Sequence, residues 1–504
     1  MPPPAPINQK LRAGWDILEK PITIRRHGVW EFTVFAARLR QVWTSIAERG
    51  RKVLRLPQNS GSPRGIEALA LDLASERGEA TNMARANAII QRYGSLAKEQ
   101  RDLFHLFLAQ NFLPDPTRLK AAAEAYLTIP SPEMIAELTL ASEPPRRELI
   151  RRMNIAPGAT ALLVGMRETL LSGIRKQPEL RPLEQDLRHL LTSWFNRGFL
   201  ELRRIDWNTS AAVLEKVIAY EAVHEIRGWN DLRRRLAPDR RCFAFFHPSL
   251  PDEPLIFVEV ALCQGLASKI DPLLSVKTPG DDFVRPDTAI FYSISNCQPG
   301  LRGISFGNLL IKQVIEELRA ELPGLRRFAT LSPIPSFRRW LNEQAAANGE
   351  SVILPEERMA MSNRASVGNA KSPTTFLDID RDKAEHLDGA VKAALQRLLA
   401  TYLTAANAGK GPEDPVARFH LGNGARLDRI NWGANLSDRG MAESMGMMVN
   451  YVYEPDMIES NHEQFVTEGR VAYSTEVGDL LLKRKARGAY ARASVREPQA
   501  LVTR

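Results

Sequence analysis

The order of predicted elements between residues 288 and 331 is the feature that most limits how this chain can fold. Residues 254–262 and 288–295 are short runs rich in β-branched and aromatic side chains, which predicts two strands. A glycine-rich loop follows the second strand, residues 307–318 have helical periodicity, and residues 326–331 return as a strand. Strand, loop, helix and strand in this order predict a mixed α/β domain.

The first part of the chain has a different pattern. From about Trp30 to Leu200, apolar residues recur at spacings of three and four, which predicts an all-α helical bundle. Because 504 residues are too many for one hydrophobic core, we predict two domains, a helical one over residues 1–195 and an α/β one over residues 196–504. Residues 456–504 are polar and form a predicted peripheral tail of the second domain. Prolines divide the helical region at positions 114, 116, 130, 132, 144 and 145.

Composition excludes several classes of protein. No apolar run approaches the roughly 18 residues that a membrane span needs, so we expect no membrane association. The net charge of +9 suits an anionic partner, but basic residues are interspersed with acidic ones and no nucleic-acid-binding motif is present, so we expect no nucleic acid. Three cysteines without a CxxC spacing predict neither a disulfide framework nor a metal site, and they favour a reducing compartment.

The glycine-rich loop is the most informative local feature. Glycines at 300, 303 and 307 lie between the predicted strand and the predicted helix. Glycine lets a backbone approach a ligand closely, and a helix N-terminus presents unpaired N–H groups, so the arrangement suits a pyrophosphate. The spacing is neither GxGxxG nor that of a P-loop, because no Lys-Ser/Thr pair follows Gly307. On spacing alone, a plain glycine-rich turn explains the residues equally well.

Two other positions are candidates for chemistry, and each has a structural alternative. Ser332 follows a predicted strand and precedes Pro333, which is also the pattern of a helix N-cap followed by proline. His420 precedes an Asn-Gly turn at 423–424, where a histidine can be purely structural. The local sequence therefore leaves both functions open.

Several blocks of the sequence, in their order along the chain, resemble the malonyl-CoA decarboxylase family. The resemblance extends from about residue 69 to residue 453. It implies an α + α/β architecture, in which an N-terminal all-α helical bundle that associates subunits precedes an acyl-CoA N-acetyltransferase-like mixed α/β domain. The loop from Arg302 to Gly307 likewise resembles the phosphate-binding loop of that superfamily. The matching blocks are residues 221–236, 290–295, 331–335, 419–425, 429–432 and 450–451.

The resemblance also implies roles for individual residues. The serine of the Ser-Pro-Ile-Pro block and the histidine of the Phe-His-Leu block are catalytic in the family, which corresponds to Ser332 and His420 here. Animal members carry an acidic residue where this sequence has Ser305, so a role for that carboxylate does not transfer. The expected substrate-binding residues are Arg302, Gly303, Ile304, Ser305, Phe306, Gly307, Asn308, Ile311, Asn423 and Tyr453.

The reaction that the resemblance implies is the conversion of malonyl-CoA to acetyl-CoA and CO2. No metal or organic cofactor is needed, because the thioester itself accepts the electrons and coenzyme A belongs to the substrate. We expect Ser332 to hold the malonyl carboxylate, Asn423 or backbone N–H groups to stabilise the oxyanion, and His420 to protonate the enolate with a near-neutral pKa. Ser332 and His420 are far apart in sequence, so their meeting in one pocket is itself a prediction.

The sequence also leaves other functions open. The closest alternative is an acyl-CoA-dependent N-acyltransferase, because one fold supports many activities. A non-catalytic interaction protein built on the helical half is a second alternative. For the decarboxylase we expect malonyl-CoA and acetyl-CoA as ligands, a homo-oligomer, specifically a tetramer, and a bacterial cytoplasmic location.

Overall fold

The structure is a computed structural model, and it describes the chain between residues 63 and 482 with several gaps. The described residues form two compact units, one containing residues 63–163 and 172–187 and the other residues 164–171 and 188–482. No helix within them is long and apolar enough to cross a membrane. The described residues are 63–75, 78–275, 285–304, 307–346, 352–359, 384, 386–405 and 411–482.

The first unit is helical, as the apolar spacing predicts. Prolines begin helices here instead of breaking them: Pro116 and Pro132 are first residues of their helices, and the side chains of Asp115 and Ser131 cap the free N–H groups. The predicted helical residues 30–62 lie outside the described part. The helices are α1 (Pro63–Ala74), α2 (Glu79–Ser95), α3 (Lys98–Asn111), α4 (Pro116–Thr128), α5 (Pro132–Ser142) and α6 (Pro145–Met153), followed by α7 (Ala159–Gly173) and α8 (Arg181–Trp194), which contribute residues to both units.

The second unit is built on a seven-stranded sheet with the order β1-β2-β3-β4-β5-β7-β6. All neighbouring strands are antiparallel except β4 and β5, which are parallel. The predicted mixed α/β domain is therefore confirmed. The strands are β1 (Glu201–Ile205), β2 (Arg240–Phe246), β3 (Ile256–Cys263), β4 (Thr288–Asn296), β5 (Arg327–Thr330), β6 (Arg426–Asn431) and β7 (Met448–Tyr453).

Helices cover both faces of this sheet. The predicted helix after the glycine-rich loop is α12, which makes the crossover between the two parallel strands. The predicted tail contains two helices, α17 and α18, as far as residue 482; residues 483–504 lie outside the described part. The helices are α9 (Ala211–Tyr220), α10 (Trp229–Arg235), α11 (Asp271–Leu274), α12 (Gly307–Glu321), α13 (Phe337–Ala346), α14 (Gly389–Thr404), α15 (Pro415–Gly422), α16 (Asp438–Ser444), α17 (Ile458–Glu468) and α18 (Thr475–Leu482).

The two parallel strands separate in the middle of the sheet. Their register ends at the pair Phe291 and Thr330, and the last hydrogen bond between them runs from Leu331 N to Phe291 O at 3.0 Å. Strand β4 continues to Asn296 beside β3 alone, whereas Ser332, the second residue after β5, bonds to Val449 of β7. Residues 292–296 consequently have one edge without a strand neighbour in the described part of the chain. Ser332 lies where the two strands separate.

One glycine of the loop after β4 is required by packing. A Cβ added at Gly300 would lie 2.0 Å from the carbonyl oxygen of Val164 in α7. The carbonyl of Gly300 also accepts a hydrogen bond from Arg167 Nη1 at 2.6 Å. The close approach that the glycine permits is thus to a helix backbone and not to a ligand, which differs from what the loop sequence suggests for this position.

We expect Gly300→Ala to lower the free energy of unfolding by about 1–3 kcal/mol, because the contact is with backbone that cannot move freely. Urea unfolding followed by tryptophan fluorescence measures the change. Gly324→Ala is the matched control, since its nearest atom, Pro286 O, would be 3.9 Å from the new Cβ. Equal stability of the two variants would contradict the packing role.

Candidate active site

Ser332 and His420 meet in the interior of the second unit. Ser332 Oγ lies 3.0 Å from His420 Nε2 although the residues are 88 positions apart in sequence. The serine is 5% exposed and the histidine 3% exposed. Ser332 does not cap a helix, because the next helix, α13, begins at Phe337. The structure thus brings the two predicted catalytic residues into hydrogen-bond contact.

A chain of hydrogen bonds extends from this pair in both directions. Ser332 Oγ donates to Thr330 Oγ1 at 2.8 Å, and His420 Nδ1 lies 2.8 Å from the hydroxyl of Tyr453. Because the serine hydroxyl donates to Thr330, its oxygen accepts from the histidine, which places the imidazole proton on Nε2. Nδ1 then accepts the Tyr453 hydroxyl proton. Four side chains therefore form one ordered chain, Tyr453–His420–Ser332–Thr330.

Strands β5 and β7 fix the serine end of this chain. Thr330 Oγ1 also accepts from Tyr451 N at 3.1 Å, and the carbonyl of Thr330 accepts from Asn450 Nδ2 at 2.7 Å. The backbones of Ser332 and Val449 exchange two hydrogen bonds, at 2.8 and 3.0 Å. Thr330 and Asn450 are fully buried, so their bonds are shielded from water. The serine is held in place by main-chain and side-chain contacts on two strands.

The histidine is held by helix α15 and by aromatic rings. It lies in the last turn of α15, whose first turn is capped by Asp414. The Tyr451 ring stacks on the imidazole at 4.7 Å between centroids, with the planes 25° apart. Ring stacking on one side and the Tyr453 hydroxyl at Nδ1 together fix the orientation of Nε2.

The surroundings of His420 hold it in the neutral form. Burial lowers the pKa of His420 from its ordinary 6.5 to about 3. Burial also raises the pKa of the Tyr453 hydroxyl well above its ordinary value, so the tyrosine keeps its proton. The near-neutral pKa expected for His420 from its residue type is therefore wrong for the free protein, because burial removes the water that would stabilise the imidazolium.

Asn423 is an unusual buried amide close to the histidine in sequence. It follows α15, its backbone N–H bonds to the carbonyls of Phe419 and His420, and its side chain is 1% exposed. Neither its amide oxygen nor its amide nitrogen has a hydrogen-bond partner among the described residues. A buried unsatisfied polar atom costs about 1–3 kcal/mol, so such a group needs a functional or structural reason.

The loop residues expected to bind substrate occupy different environments. Arg302 is exposed, and Gly303 has φ of +79°, a left-handed conformation that favours glycine. Ile304 and Ile311 are buried in the hydrophobic core.

Gly307 and Asn308 are the first residues of α12, and Ser305 and Phe306 lie outside the described residues. Substrate contacts at these positions stay predictions.

Two surface cavities of the second unit lie away from Ser332 and His420. A cavity of about 680 Å³ is lined by arginines and Trp207 near α10, and one of about 430 Å³ lies between β1, α12 and α17. Neither is lined by Ser332 or His420. The candidate site is defined instead by the hydrogen bond between the buried Ser332 and His420. No group of His, Cys, Asp or Glu residues within the described ranges is arranged to hold a metal ion.

Several supporting residues were not predicted from the sequence. Thr330 precedes Ser332 by two positions, so both side chains point the same way from an extended segment, and this spacing is the signal that could have identified it. Asn450 and Tyr451 form one of the blocks that resemble the family. They lie close to Ser332 only because β5 pairs with β7.

The fold and the site define a protein with a helical unit and a mixed α/β domain that carries a buried serine–histidine pair. Sequence models described as malonyl-CoA decarboxylase C-terminal domain and N-terminal domain match residues 198–491 and 112–195. The chain belongs to the malonyl-CoA decarboxylase family.

Individual relatives agree with this assignment. The mitochondrial malonyl-CoA decarboxylase of Anser anser anser is 37% identical over 348 residues, which cover 66% of this chain and 69% of the goose protein. That of Mus musculus is 34% identical over 77% of this chain and 83% of its own length. The crystal structure of malonyl-CoA decarboxylase from Rhodopseudomonas palustris is 46% identical, with a TM-score of 0.74, and covers 83% of this chain and 99% of its own.

The lowered pKa of His420 makes a prediction about stability and pH. The unfolded chain binds a proton near pH 6.5 and the folded protein only near pH 3, so this contribution to stability is present above about pH 6.5 and is lost as pH falls toward 3. We expect His420→Gln to reduce the slope of unfolding free energy against pH by up to about 1.4 kcal/mol per pH unit between pH 6 and 4.

Urea unfolding at several pH values measures this slope in both proteins. His105 and His224, whose pKa values burial also lowers, contribute to the slope that remains in the variant. An unchanged slope in His420→Gln would mean that the folded protein protonates His420 at its ordinary pKa.

Proposed function

We propose that this protein decarboxylates malonyl-CoA to acetyl-CoA and CO2, with Ser332 and His420 as catalytic residues. The observation that carries the proposal is the 3.0 Å contact between Ser332 Oγ and His420 Nε2 at the point where β4 and β5 separate. Membership of the malonyl-CoA decarboxylase family supports the reaction. The geometry supports the assignment of the chemistry to this pair.

The open edge of β4 is the proposed site for the pantetheine arm of the substrate. Residues 292–296 present backbone N–H and C=O groups on the edge that β5 leaves. An extended chain with amide groups pairs readily with such an edge. The thioester end of the arm then reaches Ser332, which directly follows the last hydrogen bond between the two strands.

The phosphates of coenzyme A have a proposed site at the other end of the arm. The loop after β4 carries Arg302 and Gly303 and leads into the N-terminus of α12, whose free N–H groups favour an anion. Arg188 Nη2 lies 3.5 Å from the carbonyl of Gly303 and adds positive charge beside the loop. Arg302, Gly303 and the first turn of α12 would together hold the pyrophosphate.

An uncharged pocket favours loss of CO2. Burial alone lowers the pKa of His420 and raises that of Tyr453, so neither residue has a strong ionic neighbour in the described part of the chain. When substrate binds, the Ser332 hydroxyl is proposed to donate to the malonyl carboxylate instead of to Thr330. That carboxylate has lost most of its water, and breaking the C–C bond turns it into neutral CO2. The charge moves to the thioester enolate, whose oxygen the unpartnered amide of Asn423 is proposed to bind.

His420 then supplies the proton that completes the product. The negative substrate beside the imidazole raises its pKa, so His420 takes up a proton from solvent when substrate is bound. Nδ1–H donates to the Tyr453 oxygen, and Nε2–H is transferred to the enolate carbon, which forms the C–H bond of acetyl-CoA. One proton is consumed for each CO2 released, and the histidine returns to its neutral state.

We expect His420→Ala to lower kcat by about two to four orders of magnitude, because it removes the proton donor. Ser332→Ala should lower it by a similar factor, because the carboxylate loses its hydroxyl donor. Acetyl-CoA formation by purified protein, separated by chromatography, with and without an amine acceptor, measures the change and detects any acyl transfer. His189→Ala, at an exposed histidine of α8, is the control. Turnover like that of the wild type in His420→Ala would exclude the assigned role.

The helical unit has a surface suited to subunit association. Large apolar side chains on α4 and α5 are exposed, including Leu127 at 78% and Leu140 at 59%. Apolar surface of this kind is typical of protein interfaces. We propose that the protein is a homo-oligomer, specifically a tetramer, that buries these side chains, and that it acts in the bacterial cytoplasm.

We expect the double variant Leu127→Glu, Leu140→Glu to shift the mass measured by light scattering from an oligomer toward a single chain, because buried charges oppose association. Val466→Glu, at an exposed position of α17 in the other unit, is the control and should leave the mass unchanged. An oligomer that survives the double substitution would place the interface elsewhere.

A further inference from the structure

The block at residues 221–236 lies outside the hydrogen-bonded chain of Ser332 and His420, yet it contains a buried carboxylate. Glu221 follows α9 and is 9% exposed. Its Oε1 accepts hydrogen bonds from Val223 N at 2.8 Å and from His224 N at 2.7 Å. Residues 221–224 therefore form a tight turn around the Glu221 carboxylate.

The same carboxylate binds two serines of β4. Ser293 Oγ lies 2.7 and 2.8 Å from the two oxygens of Glu221, and Ser295 Oγ donates to Oε2 at 3.1 Å. Ser295 Oγ in turn accepts from Ala222 N at 3.1 Å. We call Glu221, Ser293 and Ser295 the Glu221 clamp. Both serines lie beyond Phe291, the last residue of β4 that pairs with β5.

Two arginines hold the turn from its other side. Arg439 Nη1 donates to the carbonyls of Ala222 and Val223 at 2.7 and 3.3 Å. Arg235 Nη2 donates to the carbonyl of His224 at 3.1 Å. The N–H groups of the turn thus face the clamp and its carbonyls face arginines, so contacts on both sides of the turn fix the position of the carboxylate.

We propose that Glu221 is a positioning residue that holds the C-terminal half of β4 as the binding edge for the pantetheine chain of the acyl-CoA. This inference rests on the proposed function, in which residues 292–296 receive that chain. The C-terminal half of β4 needs such support because β5 does not pair with it beyond Phe291. On the other side, the register with β3 shifts between Glu259 and Val260, opposite Ser293 and Phe291, which weakens the ladder at the same point.

Loss of the clamp should affect binding more than chemistry. Ser332, His420 and Tyr453 are carried by the end of β5, by α15 and by β7, whereas the clamp acts on β4. A strand that moves or frays binds an extended ligand more weakly, because ordering it then opposes binding. The expected signature is a raised KM with a nearly unchanged kcat.

The test compares Glu221→Gln with wild-type protein in two assays. A glutamine amide presents N–H donors to groups that already donate, so the clamp loses its matched partners. We expect KM for malonyl-CoA, and Kd for acetyl-CoA measured by calorimetry, to rise about tenfold, while kcat stays within about threefold of wild type. Glu225→Gln is the matched control, because Glu225 is in the same segment but its side chain is 80% exposed.

Ser295→Ala keeps the proposal testable if Glu221→Gln does not fold. This substitution removes one hydrogen-bond donor of the clamp without burying a new donor. It should raise KM for malonyl-CoA and Kd for acetyl-CoA by a smaller factor than Glu221→Gln does. An unchanged KM and Kd in a folded clamp variant, or a fall in kcat at unchanged KM, would overturn the inference. If wild-type protein binds acetyl-CoA but releases no CO2 from malonyl-CoA, the proposed function fails, and the Kd comparison still decides the role of Glu221.

Discussion

The separation of β4 from β5 after Phe291 is the constraint on which the site depends. While the strands pair, neither has a free edge or room for a substrate. Beyond that point the backbone of Ser332 bonds to Val449 of β7, and the end of β4 has no strand neighbour on one side among the described residues. The serine, the histidine that reaches it from α15 and the proposed acyl-CoA edge all follow from this single change of partner.

A second physical feature is the low charge around the proposed catalytic pair. His420 is stacked on Tyr451 and bonded to Tyr453, and burial makes its protonation unfavourable. In the proposed mechanism, a bound negative substrate reverses this preference. Burial also makes an isolated carboxylate costly. In the proposed mechanism, the malonyl carboxylate therefore both favours protonation of His420 and is itself destabilised by the buried site. The carboxylate of Glu221, by contrast, is surrounded by hydrogen-bond donors.

The sequence predicted the elements whose patterns are local. The strands at β3, β4 and β5, the helix α12 and the helical first unit are confirmed, because periodicity and proline positions reflect each element on its own. Strands β1, β2, β6 and β7 were not predicted. The first three contain charged residues; in β2 the buried Arg240 is paired with Asp239, which only the fold reveals. Ser332 and His420 were identified by resemblance, but Thr330 and the lowered pKa of His420 depend on long-range pairing and burial.

The central claim is that Ser332 and His420 act as one hydrogen-bonded unit. A double-mutant cycle on kcat, with Ser332→Ala, His420→Ala and the double variant, tests it most directly. If the two residues act together, the double variant should be about as slow as the slower single variant, because either substitution already disables the unit. Rate losses that multiply in the double variant would show that the two residues act independently and would contradict the account.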